Sequence, residues 1–241
     1  MTSPQTNRRR DDFAADQLPP IPGGWQTKTV RIGEDHFKLT LPQNADALLE
    51  DSLAGADTKW KEPDPYWAHL WPAALPMSRF VMSHDWRARS RSGCRVLEIG
   101  AGIGLAAATS GLDVTFSDYE PVAIEAALGN AHQNGLSAKR LLPDWNDPVH
   151  AEFSVILGCD VVYEPQNHEP ILALLDTMLE SDGVCWIGGC GRQHVSQFCE
   201  MEGQRRFCVR LFDQNHHTLE QPVFNRFQLI TLQHNESSVT T

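Results

Sequence analysis

Four carboxylates, each inside or just after a short apolar run, carry the chemistry available to this sequence. Glu98 lies within Val96-Leu-Glu-Ile99, directly ahead of Gly100, Gly102 and Gly104. Asp118 follows Leu112–Ser117 and precedes Tyr119. Asp144 follows Ala138–Leu142 and precedes Trp145, and Asp160 follows Phe153–Cys159 and opens Asp160-Val-Val-Tyr163. The runs are short and rich in β-compatible residues, so each carboxylate is expected at the end of a buried strand. After Gly104, Leu105–Thr109 reads as a helix start. Strand, glycine turn and helix start make a nucleotide-type cofactor site: glycine lets the backbone approach a ligand, and the first helical turn offers N–H donors. A tight turn without a ligand is the plainer alternative.

Glycine spacing separates the candidate ligands. A dinucleotide fingerprint, G-x-G-x-x-G, would need glycine at position 105, which is Leu105. The third glycine stands instead at 104, and an acid precedes the first by two. This pattern resembles motif I of class I methyltransferases that use S-adenosylmethionine, where Glu98 would sit near the cationic methionine amine. A carboxylate beside an anionic pyrophosphate would be repelled. Asp118, twenty residues after Glu98, can accept hydrogen bonds from both ribose hydroxyls, a placement shared with dinucleotide enzymes. A turn-forming Asp before Pro121 is the alternative. Asp144 can take an adenine amino group under the Trp145 indole, or form an Asx turn before Pro148. At Asp160 and Tyr163, a carboxylate beside a phenol could hold a protonated amine and orient it once neutral. Lysine must lose its proton to attack a methyl group, and its ordinary pKa is about 10.4. The alternative for Asp160 is capping backbone donors.

Alternating strands and helices must position these groups. Thr27–Ile32 and His36–Leu41 alternate apolar with polar residues and predict a hairpin. A short helix capped by Asn44 is expected over 44–53. Pro65-Tyr-Trp-Ala-His-Leu-Trp-Pro72 concentrates aromatics and leads into a helix over about 72–83. It is either a plug packing that helix on the sheet or a wall of the site, with Trp71 toward the cofactor and Tyr66 and Trp67 as a lid. Indole faces attract cations. Helices follow over 121–132, starting at Pro121 and ending at Asn134-Gly135, then over 167–180 and 192–200, with strands at 183–189, 206–212 and 225–232. The fold expected is α/β: a doubly wound, mostly parallel seven-stranded sheet with an N-terminal hairpin extension. Its boundaries are a disordered tail over 1–24, one domain over 25–234 (hairpin and helix extension 25–60) and a tail over 235–241.

The 241-residue chain, 41% hydrophobic and 21% charged, is long enough for one full core. A net charge of −11 argues against partners bound through phosphates. No apolar run is long enough to span a membrane, and no secretion signal is visible. The six cysteines form no C-x-x-C pair and lack zinc-ligand spacing, so no metal is expected and a reduced, cytoplasmic setting is. Nothing in the sequence specifies an oligomeric state; a monomer is expected.

The succession Pro65–Pro72, Val96–Gly104, Ser117-Asp118, Asn130 with Asn134-Gly135, Asp144-Trp145 and Asp160-Val-Val-Tyr163 resembles the METTL-type seven-β-strand protein methyltransferases, among which lysine enzymes dominate. The Pro-Tyr-Trp-Ala-x-x-Trp opening looks most like that of enzymes acting on the electron-transfer flavoprotein β-subunit. The resemblance covers about residues 60–195. It implies S-adenosylmethionine as cofactor on Glu98, Gly100, Gly102, Gly104, Asp118 and Tyr119, with Trp71, Asp144 and Trp145 around it. It implies a protein lysine as substrate at Asp160 and Tyr163, with Tyr66 and Trp67 closing the site. Enzymes that methylate adenine in DNA carry Asp/Asn-Pro-Pro-aromatic where this chain has Asp160-Val-Val-Tyr163, which counts against a nucleic-acid base. Rival readings are a methyltransferase for a small amine, acid or phenol, a non-catalytic cofactor-binding module, and, more distantly, a nicotinamide reductase.

Overall fold

A computed structural model describes residues 17–54, 65–86, 93–105, 111–141, 145 and 148–235, without the side chains of 202–206 and the backbone of 204–206. The expected helix start over 105–109 falls mostly outside these residues, as does Asp144.

Five strands are parallel: β3 (Arg95–Ile99), β4 (Asp113–Ser117), β5 (Ala138–Leu141), β6 (Phe153–Cys159) and β7 (Leu179–Gly189). Then come β8 (Phe207–Asp213), the two-residue β9 (Thr218–Leu219) and β10 (Gln228–His234). Sheet order is β5-β4-β3-β6-β7-β10-β8-β9, with β10 antiparallel between β7 and β8. The expected seven strands are all present, and β9 adds a short eighth at the edge. Alternate residues feed two cores. Val96, Val155, Leu157, Val184 and Trp186 face one, with α2 (Ala74–Ser83) and α3 (Pro121–Gln133). Leu97, Ile156, Cys185 and Ile187 face the other, with α4 (His168–Met178) and α5 (Val195–Gly203). A sheet buried on both faces explains why its strands read as apolar runs rather than alternations.

Chain order reverses between β3 and β6. From β3 the chain winds outward through β4 to β5, then returns to lay β6 on the other side. Ligands bind at such a switch point, beyond the strand C-termini. Glu98, Gly100, Asp118 and Asp160 all lie there.

The hairpin of β1 (Trp25–Ile32) and β2 (Asp35–Pro42) forms its own two-stranded sheet, followed by α1 (Ala45–Ala54). Asn44 Oδ1 accepts from the Asp46 N–H at 3.1 Å, as expected of its cap. Two asparagines, Asn130 on α3 and Asn134 capping its C-terminus, dock the hairpin. Asn130 accepts from Thr40 N and donates to Thr40 O, at 2.7 and 3.0 Å; Asn134 does the same with Lys38, at 2.9 and 2.8 Å. Four helical residues rise about 6 Å and two strand residues about 6.7 Å, so side-chain amides at i and i+4 match alternate peptides of a strand.

Three expectations need correction. Residues 17–24 are not a free tail: Leu18 is buried, Ile21 packs near Leu48 and Trp67, and Pro19 O accepts from the Trp25 indole at 2.8 Å. The prolines there set rigid chain direction rather than disorder. The helix expected to reach 180 stops at Met178; Leu179 is extended and pairs with Phe153, and the ladder resumes at Val155 and Val184 after an irregularity. The helix placed over 192–200 begins at Val195.

Candidate active site

Gly100, Gly102 and Gly104 all have positive φ, +56°, +51° and +68°. The turn is pinned from outside. Ala101 N donates to Ser117 O at 3.0 Å, and Asn130 Nδ2 donates to Ile103 O at 2.8 Å. Asn130 thus ties hairpin, helix and glycine turn together. A Cβ on Gly100 would stand 2.8 Å from Val161 and 3.3 Å from the Trp145 ring, and one on Gly102 would stand 3.2 Å from Trp67 O. Both glycines line a cleft. Gly104 is not among the residues lining it: its Cβ would fall 2.5 Å from that of Ala127, so its missing side chain lets α3 pack.

The cleft and its open mouth together span about 700 Å³ of space. Glu98, Asp118, Tyr119, Trp145, Asp160 and Tyr163 line it with the aromatic segment Tyr66–Trp71. Asp118 is buried; its Oδ2 accepts from Gly102 N at 2.8 Å and its Oδ1 from Glu120 N at 3.0 Å. Burial raises its carboxyl pKa to about 6, against the pull of the Glu120, Gly102 and Tyr119 N–H groups and with a smaller push from the Glu120 charge.

Asp160 ends β6 in a left-handed conformation, φ +53°, which Asp tolerates better than most residues. Its N–H donates to Gly188 O at 2.8 Å, while Oδ1 accepts from Cys190 N at 3.3 Å. Its Oδ2 is buried without a hydrogen-bond partner among the described residues. Burial pushes the carboxyl upward, opposed by the Cys190 N–H, the Arg192 guanidinium and, more weakly, the Ala73 N–H. Tyr163 meets Tyr66 edge-on at 5.4 Å, and Tyr66 meets Trp71 at 6.0 Å. The Trp71 indole donates to Tyr66 O at 2.9 Å. Tyr66, Trp71 and Tyr163 are half-buried at the mouth. Trp67, expected in a lid, is instead 5% exposed and set among Leu48, Ala68 and Ala123 with Trp25 6.1 Å away, so it is fixed wall.

Three contributors escaped the sequence reading. Arg192 lies 5.1 Å from the Trp71 ring, 5.9 Å from that of Tyr163, and 3.8 Å from Asp160 Oδ1. It follows Gly189-Cys-Gly191 at the end of β7, so the strand-end rule applied to the fifth strand would have pointed to it. Buried His168 holds the loop after Asp160, its Nε2 lying 3.3 Å from Val162 O. Asn130 enters the resemblance by position alone, and nothing local announces its docking role.

The cleft fits a cationic, nucleoside-bearing cofactor. Three buried carboxylates (Glu98, Asp118 and Asp160) line it, two glycines clear its floor, and an indole stands over the glycine turn. The lysine methyltransferase family profile matches residues 61–202. EEF1A lysine methyltransferase 3 of Mus musculus is 30% identical over 159 residues, 62% of this chain and 64% of that protein. The electron transfer flavoprotein beta subunit lysine methyltransferase of Xenopus laevis is 31% identical over 147 residues, 57% of each chain. The chain thus spans somewhat over half the length of these curated relatives. Among solved structures, a TehB-like SAM-dependent methyltransferase of Corynebacterium glutamicum aligns with TM-score 0.52 and 20% identity, covering 66% of this chain and 88% of that one, which shows the shared fold. The chain belongs to the lysine methyltransferase family.

Proposed function

We propose that this protein methylates the side-chain amine of a lysine in another protein. The observation that carries the reading is Asp160: a buried carboxylate with an unpartnered Oδ2, at the switch point, inside a cleft walled by Tyr66, Trp71 and Tyr163. S-adenosylmethionine supplies an electrophilic methyl group when bound. On the cofactor side, Asp118 would accept the ribose hydroxyls, with Tyr119 beside it and Trp145 against the adenine. Glu98 would face the methionine ammonium. On the acceptor side, Asp160 Oδ2 would accept a hydrogen bond from the neutral amine and aim its lone pair at the methyl carbon, with Tyr163 and Tyr66 excluding water around it. The proton leaves to solvent before attack, so catalysis is mainly positioning.

The half-buried aromatic rim favours a side chain entering from outside over a small molecule enclosed under a roof. A reducing, cytoplasmic setting belongs to the proposal, supported by six cysteines that are all thiols. The test incubates purified protein with methyl-labelled cofactor and whole-cell lysate, then maps the label by mass spectrometry. Label on lysine of a protein band is expected. Label on arginine would change the acceptor, and label confined to small molecules would overturn a protein substrate. Asp160→Asn, which tolerates the same backbone, should cut turnover at least about 100-fold. Its S-adenosylhomocysteine affinity should stay within about threefold, since single hydrogen-bond changes outside a site cost little.

A further inference from the structure

Arg192 stands where the acceptor's charge is expected. Its guanidinium covers the Trp71 face and approaches the Tyr163 ring, and its Nε lies 3.8 Å from Asp160 Oδ1. At that separation it is a charge neighbour rather than a hydrogen-bond donor. Asp160 alone would create a difficulty. A buried anion between aromatic faces is a good trap for an ammonium ion, which has no lone pair and cannot attack. The better such a site binds lysine, the more firmly it holds the unreactive form.

We propose that Arg192 is a positioning residue that cancels the charge of Asp160, so that the cleft takes the acceptor lysine as the neutral amine. The proposal rests on the reading of the cleft as a lysine site. Asp160 still accepts a hydrogen bond through its partnerless Oδ2, but the pair as a whole offers no net attraction to a second cation. Trp71 and Tyr163, which could otherwise embrace an ammonium, already have a cation on or near their faces. The lysine proton passes to water as the amine enters.

Among the described residues, the other titratable groups around the pair do not replace Arg192. The thiols of Cys159 and Cys190 are pushed toward the neutral form, first by burial and then by the charge of Asp160. His69 is exposed, its ring 5.3 Å from Trp71. Tyr163 offers a phenol. Glu98 lies deeper in the cleft, at β3, where the cofactor ammonium would balance it. Arg192 sits just past Gly188-Gly189-Cys-Gly191, and Gly191 is locked against the 223–226 loop by the Asn225 N–H, 3.2 Å from Gly191 O. The stem is therefore anchored while the side chain stays 42% exposed.

The test uses n-butylamine, a lysine side chain in isolation, titrated by calorimetry into the full-length protein saturated with S-adenosylhomocysteine. Wild type should bind the free base, so its affinity should rise about tenfold per pH unit from pH 7 to 9. Arg192→Gln should bind the ammonium form, with affinity at pH 7 at least about tenfold above wild type and little change with pH, the size of effect one charge within 4–6 Å exerts. Arg192→Lys should behave as wild type. The same pH slope in wild type and Arg192→Gln, or no binding to either, overturns the proposal. On the labelled lysate protein, Arg192→Gln should lower KM and kcat at pH 7 and raise kcat about tenfold per pH unit toward pH 9, as the bound ammonium loses its proton; a merely structural defect would show no such rise. If wild type labels no lysine, the functional reading fails, and the butylamine titration still decides whether the pair cancels charge.

Discussion

The two sides of the cleft are built differently. On the cofactor side, contacts are directional and mostly involve the backbone: Asp118 accepts from two N–H groups, Ala101 donates to Ser117, and Asn130 bonds both Thr40 and Ile103, all at 2.7–3.0 Å. On the acceptor side Asp160 and Trp71 are also tied to the backbone, at Cys190 N (3.3 Å) and Tyr66 O (2.9 Å), but the walls meet one another through side chains: rings 5.4–6.0 Å apart and a guanidinium 3.8 Å from its carboxylate. Backbone hydrogen bonds hold one geometry because distance and angle are both constrained. Ring contacts tolerate sliding at small cost. The cofactor side therefore suits a ligand that never varies, and the acceptor side suits a chain that must enter and leave.

The largest expected effect lies on the rigid side. Gly104→Ala combines a positive φ with a Cβ 2.5 Å from Ala127 and should cost about 3–5 kcal/mol of folding stability in urea melts. Gly111→Ala, with φ +68° but open space around its Cβ, should cost only about 1 kcal/mol. Equal losses would mean that packing on α3 is not what Gly104 serves. Asn130→Ala strands the Thr40 peptide and Ile103 O and should cost about 2–3 kcal/mol. It should also weaken S-adenosylhomocysteine binding, because the glycine turn loses its outer support; unchanged affinity would show the turn to be held by its own strands.

Asp118 gives a pH signature. Its folded pKa of about 6 lies above the ordinary 3.8, so the native state holds this proton more tightly than the unfolded chain. Stability of the unliganded protein from this group should fall as pH rises from about 4 through 6. Cofactor binding should run the other way. A protonated carboxyl loses acceptor capacity, so S-adenosylhomocysteine affinity should drop as pH falls below 6. Asp118→Asn should weaken binding about tenfold to 100-fold at pH 8, the loss of hydrogen bonds to a charged group, and flatten both trends. A pH-independent wild type would exclude Asp118 from the ribose contact. The smallest effect belongs to the adaptable side: Tyr66→Leu removes ring contacts worth about 1 kcal/mol, so acceptor KM should rise only a few-fold with cofactor affinity unchanged. A collapse of cofactor binding there would show the two sides to be coupled.

Legibility followed the same division. Glu98, the glycines, Asp118 and Asp160 could be read because each carboxylate follows or ends an apolar run, and parallel strands bring their C-terminal ends to one edge. Pro121 and Asn134-Gly135 likewise bounded α3. Gly104 was readable as a glycine but not in its role, since the requirement is set by Ala127, 23 positions away. Leu179 was misplaced because a leucine continuing a helical face looks the same as one entering a buried strand. Arg192 was invisible as a site residue: an exposed arginine after glycines has no local signal, and its meaning depends on Trp71, 121 positions earlier.

Local sequence by itself determined which elements form and where the cofactor turn lies, because hydrophobic period, proline and glycine act within a few residues. Tertiary structure decided what stands opposite Asp160. The aromatic segment, the Asp160–Tyr163 loop and the loop after β7 meet only once the sheet reverses direction between β3 and β6. Burial of that carboxylate beside a guanidinium is a property of their meeting, since neither desolvation nor charge proximity exists in any one of the three segments alone.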